Sequence, residues 1–191
     1  METQPAIFWN LPNALTVLRI GAIPVLIALM TVPGRFVSFM AALVFLAAGM
    51  TDLLDGFFAR RHRLVSRVGK FMDPLADKLL VSAALIMLIP LERIEAWLVF
   101  VIIGRELAVT GLRAIAASEG MVMAADRWGK LKTIFQMVAL FALILHYPYL
   151  SIDFQRLGTV LIWIAAAITV ASGTGYFLTF FHPAQSTKSI K

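Results

Sequence analysis

Six apolar stretches, most of them near the length a helix needs to cross hydrocarbon, fill most of this 191-residue chain. They run from Ala14 to Val32, Val37 to Phe58, Pro74 to Ile89, Ala96 to Ala117, Thr133 to Tyr147 and Leu157 to Phe181. Pro12-Asn13, Pro33-Gly34 and Pro90 punctuate them, as residues that start or stop helices do. With 60% hydrophobic and only 15% charged residues, the chain is too poor in charge for a soluble domain of this size. The reading is an all-α integral membrane protein with six transmembrane helices. The third and fifth stretches are short for full spans. They are expected to extend backward through polar residues that face the protein interior. Ala6-Ile7-Phe8-Trp9 is a candidate for a short N-terminal interfacial helix, because Trp and Phe favour that depth.

Charge gives an orientation. Arg60, Arg61, Arg63, Arg67 and Lys70 lie between stretches two and three, and Arg127, Lys130 and Lys132 between four and five. Lys188 and Lys191 close the tail, while Arg35, Arg93 and Arg156 fall on the other side. The positive-inside rule then puts both termini and the second and fourth connections in the cytoplasm. Met1 to Asn10 carries an acid and no base, unlike a cleaved signal peptide, so the first stretch is expected to stay as a span. The net charge of +6 sits at membrane edges, which suits anionic headgroups or phosphate substrates and not nucleic acid. Cys is absent, which excludes disulfides, thiolate metal sites and thiol catalysis.

Against this background, Asp52, Asp55, Asp73 and Asp77 stand out, since carboxylates at membrane helix ends are costly. Asp52 and Asp55 are spaced i, i+3 and Asp73 and Asp77 i, i+4, so each pair shares a helix face. A short basic connection makes the two helices antiparallel neighbours. Four carboxylates brought together repel unless cations or protons intervene. Oxygen ligands without Cys or His favour a hard cation, Mg²⁺ or Mn²⁺, and four exceed what one Mg²⁺ usually takes, so two ions fit. Gly56, Ala59 and Gly69 leave room for a bulky ligand, and Arg60 offers a phosphate fork. Taken singly, Asp73 also suits the cap of a helix opening at Pro74, and Asp52 and Asp55 suit pairing with Arg60 and Arg61. Those roles leave the fourfold set unexplained.

The string Asp52-x2-Asp55-Gly56-x2-Ala59-Arg60-x8-Gly69-x3-Asp73-x3-Asp77 resembles the signature of the CDP-alcohol phosphotransferases at every position. Eight fixed residues would co-occur by chance with a probability on the order of 10⁻¹⁰ per start position. Arg105-Glu106, Thr110-Gly111-x-Arg113 and Gly129-Lys130-x-Lys132-Thr133 look like the pattern of the bacterial phosphatidylglycerophosphate synthases within that family. So does Pro12-Asn13-x-x-Thr16-x-x-Arg19, which other branches share. The resemblance implies one membrane domain over 1–191 and a homodimer with its site facing the cytoplasm. It implies transfer of a phosphatidyl group from CDP-diacylglycerol to sn-glycerol 3-phosphate. By position it implies Asp52, Asp55, Asp73 and Asp77 as metal ligands, and Asp77 also as general base. Asp52, Gly56, Ala59, Arg60 and Gly69 would meet the CDP part.

A phosphorylated acceptor needs cations apart from the metals, and Arg105, Arg113, Lys130 and Lys132 are the candidates. Arg105 and Arg113 lie two turns apart on roughly similar faces of stretch four. Arg105 falls deep in an apolar segment, where pairing with Glu106 is the competing role. For Arg113, Lys130 and Lys132 the competing role is topogenic charge. Gly104 with Ala108, and Gly173 with Gly175, are candidate helix contacts. His62, His146 and His182 have no triad partner and read as loop or interface residues. Two rival readings differ from this one: the same family with another acceptor such as inositol phosphate, and a metal-ion transporter. A transporter would more often scatter its acids toward the midplane.

Overall fold

The computed structural model is all-helical among its described residues, which are 11–62, 67–119 and 127–181. Six helices follow in order: α1 Leu11–Thr31, α2 Arg35–His62, α3 Arg67–Leu88, α4 Ala96–Ser118, α5 Arg127–Leu145 and α6 Phe154–Phe181. Of the side chains within them, those of 11–13, 15, 52–62, 67–71, 73, 74, 127, 128, 130, 179 and 181 are outside the description. The expected interfacial helix at Ala6–Trp9 also lies outside the described residues. The backward extension of the third and fifth stretches is observed: α3 opens at Arg67 and α5 at Arg127. In α6, Phe154–Leu178 is long and apolar enough to cross a membrane, whereas Thr16–Thr31, Arg35–Thr51 and Leu131–Leu145 are apolar but shorter.

Each helix turns a periodic stripe inward. On α2 the buried residues are Ser38, Ala41, Ala42, Phe45 and Ala48, the three-four spacing of a single helix face. On α3 they are Ala76, Leu80, Ala84, Leu85 and Leu88. α5 packs most extensively on α6, α1 packs on both α2 and α3, and α4 leans mainly on α6. Between α3, α4 and α5 the packing is looser, and a cavity opens there.

The end of the bundle away from the aspartates is stapled by its connections. Gly34 holds φ +143°, a region closed to most L side chains, and its carbonyl accepts from Ser38 N–H at 2.9 Å to start α2. Arg35 donates to the Pro148 carbonyl at 2.7 Å and lies 4.3 Å from the Tyr149 ring centroid. Arg93 donates to the carbonyls of Leu143 and Ile144 at 3.3 and 3.1 Å, satisfying groups that the end of α5 leaves without helical partners. Burial lowers the pKa of Arg93 from its usual value, partly offset by Tyr147. The first two bases of this end therefore serve as internal staples, and Arg156 pairs with Asp153 at 3.0 Å at the surface.

Candidate active site on α2 and α3

The four aspartates fall on two helices that pack against one another: Asp52 and Asp55 on α2, Asp73 and Asp77 on α3. Gly56, Ala59 and Arg60 also lie on α2, and Gly69 on α3. Of the four acids, Asp77 alone has a described side chain; it is half-buried and engaged with a partner. The side chains of Asp52, Asp55, Asp73, Gly69 and the CDP-binding candidates lie outside the described residues, so the metal cage itself does. Among the described residues no group of three or more His, Asp or Glu side chains comes together.

What fixes the turn bearing Asp52 is visible. Arg19 of α1 is 1% exposed. Its Nε donates to the Ala48 carbonyl at 3.0 Å, and its guanidinium reaches Thr51 Oγ1 at 3.1 Å. A charge in an apolar segment must be paired, and here it ties α1 to the α2 turn just before Asp52. In the sequence Arg19 stands only within the Pro12-Asn13-x-x-Thr16-x-x-Arg19 pattern, and its charge within an apolar stretch is the signal of this role.

Asp77 lines the cavity between α3, α4 and α5 together with Lys78, Ser82, Glu106, Lys132 and Gln136. Glu106 is its centre. Its Oε1 accepts from Lys132 Nζ and, at 3.1 Å, from Arg105; its Oε2 faces Lys78 Nζ at 3.4 Å. Arg105 continues to Ser172 Oγ on α6 at 2.7 Å and lies 5.9 Å from the Tyr176 ring centroid. Gly173 makes room for it: a Cβ there would sit 3.0 Å from Arg105 Cγ. The competing role of Arg105, pairing with Glu106, is thus present in the structure. Its Nε is buried without a hydrogen-bond partner.

The other acceptor candidates separate. Lys132 is 5% exposed and joins the Glu106 cluster, while Arg113 is exposed and stands apart from it. The shared face expected of Arg105 and Arg113 is not observed, because eight residues at 3.6 per turn leave them about 80° apart around the axis. The side chain of Lys130 lies outside the described residues. Sequence reasoning missed Glu106 as a hub and Lys78 altogether. An acid amid an apolar helix was the signal for the first. For Lys78 the signal was only its place next to Asp77.

The family model for CDP-alcohol phosphatidyltransferase matches residues 9–171. The chain belongs to the CDP-alcohol phosphatidyltransferase family. It is similar to proteins named CDP-diacylglycerol–glycerol-3-phosphate 3-phosphatidyltransferase from several bacteria. That of Bacillus subtilis is 46% identical over 88% of this chain and 94% of the relative. That of Rickettsia typhi is 40% identical over 88% and 95%. That of Escherichia coli is 37% identical over 88% and 93%. Membership of this membrane-associated phosphatidyltransferase family makes the chain an enzyme of that class.

Proposed function

We propose that this phosphatidyltransferase moves the phosphatidyl group of CDP-diacylglycerol to sn-glycerol 3-phosphate, giving phosphatidylglycerol phosphate and CMP. It does so from the cytoplasmic membrane, as a six-span homodimer with both termini and the site facing the cytoplasm. The observation that carries the reading is the aspartate string laid on two packed helix ends, beside a cavity walled by Lys78, Glu106 and Lys132. The shared name of relatives aligned over nearly their whole length supports the acceptor.

The donor set fits a hard divalent cation: four carboxylates on adjoining helices in a chain without thiolates. Asp52, Asp55, Asp73 and Asp77 would hold Mg²⁺ or Mn²⁺, two ions in all. Bound there, such ions neutralise diphosphate charge and stabilise the departing CMP oxygen.

The protein's own residues do the rest. Asp52, Gly56, Ala59, Arg60 and Gly69 seat the CDP moiety, with the small residues admitting it to the helix backbone and Arg60 forking its phosphate. Arg105, Arg113, Lys130 and Lys132 supply charge for the acceptor phosphate. Asp77 takes the proton of the acceptor hydroxyl as its oxygen attacks the phosphorus bearing diacylglycerol. One P–O bond forms, the P–O bond to CMP breaks, and no covalent enzyme intermediate intervenes. Positioning and charge neutralisation supply most of the acceleration in such transfers.

The test follows CMP release by the purified protein in detergent. Release requires CDP-diacylglycerol, glycerol 3-phosphate and Mg²⁺ or Mn²⁺; EDTA abolishes it, and re-added metal restores it. Asp77→Asn lowers kcat by about 10²-fold or more, the contribution expected of a positioned base. Undiminished turnover in EDTA or in the variant overturns the assignment.

A further inference from the structure

Among the polar groups of the cavity beside Asp77 that the roles above leave unused are Lys78 and Gln136. Three cations share the Glu106 carboxylate, and they are held unequally. Lys132 is 7% exposed at its side chain and bonded directly to Oε1. Arg105 is 11% exposed and divided between Oε1 and Ser172. Lys78 is 29% exposed, and its 3.4 Å separation from Oε2 is the longest of the three. Strong charge-assisted N–H···O bonds run at about 2.7–2.9 Å, so Lys78 is oriented by Glu106 without being consumed by it. An ammonium has three donors, which leaves Lys78 donors for another anion.

Gln136 is 5% exposed, and its Nε2 is buried with no hydrogen-bond partner. A buried amide N–H left unpaired is costly, so its place in the cavity wall points to a ligand. The cavity measures about 50 Å³. That is above the roughly 10–15 Å³ needed to admit one water, so a small polar group can enter. Lys78, Arg105 and Lys132 outnumber the two carboxylates beside the cavity, Glu106 and Asp77, so the site favours an anion.

We propose that Lys78 and Gln136 bind the acceptor's phosphate, Lys78 through its ammonium and Gln136 through its side-chain N–H, with Glu106 positioning Lys78 over the cavity. The inference rests on the reading above in taking the acceptor to be phosphorylated. The test uses the full chain in detergent micelles. Inorganic phosphate is titrated calorimetrically into the wild type, Lys78→Met, Lys78→Arg and Gln136→Leu, and the Michaelis constants of both substrates are measured on each. Lys78→Met and Gln136→Leu each weaken phosphate binding and raise the glycerol 3-phosphate KM about tenfold, near 1.4 kcal/mol. The KM for CDP-diacylglycerol stays unchanged, and Lys78→Arg retains most of the phosphate affinity. Unaltered phosphate affinity in both variants, a parallel rise in both Michaelis constants, or a wild type that binds no phosphate overturns the inference. A wild type that binds phosphate but releases no CMP sinks the reaction instead, and the titrations still decide Lys78 and Gln136. Should Lys78→Met fail to fold, Gln136→Leu and Lys78→Arg carry the decision.

Discussion

Glu106 stands where the buried stripe of α4, through Leu98, Ile102, Val109, Leu112 and Ala116, passes beside Arg105. Two adjacent charges thus interrupt an otherwise apolar face, and each is resolved by a partner on another helix. Lys132 and Lys78 reach Glu106 from α5 and α3, and Ser172 reaches Arg105 from α6. Sequence alone offers no way to pair residues on helices this far apart, which is why the hub was not foreseen. The aspartate string was legible because its i, i+3 and i, i+4 spacings are local geometry. Arg19 is the other residue whose role only packing reveals. Arg19→Met removes the donors to Ala48 and Thr51, and hydrogen bonds to charged groups contribute about 1.5–3 kcal/mol. A loss of that size in stability, with a fall in CMP release, is expected from thermal melting and turnover of the purified variant. An unchanged melting temperature would remove Arg19 from the account.

At the scale of helices, the segments were read with bounds close to those observed, because long apolar runs between Pro and Gly punctuation state them plainly. Their contacts were read less well. Gly104 and Gly175 have open space where a Cβ would stand, so neither marks a close approach, whereas Gly173 seats Arg105. Among the described glycines, the closest approach to backbone is at Gly158 of α6, which the sequence does not announce. A Cβ there would lie 2.7 Å from Leu143 Cγ and 2.9 Å from the Leu143 backbone nitrogen of α5. Backbone cannot yield as a side chain can, so Gly158→Ala should destabilise by about 1–3 kcal/mol, as overpacking does. A melting temperature equal to wild type would show the helices free to part. The α5–α6 connection was also illegible. Leu150 and Ser151 both hold positive φ, 49° and 64°, between the paired Tyr149 and Ile152. Such a turn usually announces itself with Asn-Gly, and here neither residue appears. Installing Asn at 150 and Gly at 151 relieves a left-handed cost of about 1–2 kcal/mol per residue, and the double variant should melt higher. A lower melting point would contradict this.

At the scale of the molecule, the two ends of the bundle differ in kind. One is closed by short connections stapled through Arg35 and Arg93. The other carries the aspartate string on α2 and α3, with Asp77, Lys78, Glu106 and Lys132 around a cavity. α5 packs extensively on α6 and α1 on α2, whereas α4 meets α3 more sparsely. The central claim is the reaction, and an acceptor panel tests it most directly. The purified protein is given CDP-diacylglycerol, metal and, separately, glycerol 3-phosphate, inositol phosphate, serine and choline, and the lipid products are identified by mass spectrometry. Phosphatidylglycerol phosphate formed with glycerol 3-phosphate, and no lipid product from the others, is the predicted result. A phosphatidyl lipid formed from another acceptor but not from glycerol 3-phosphate would contradict it.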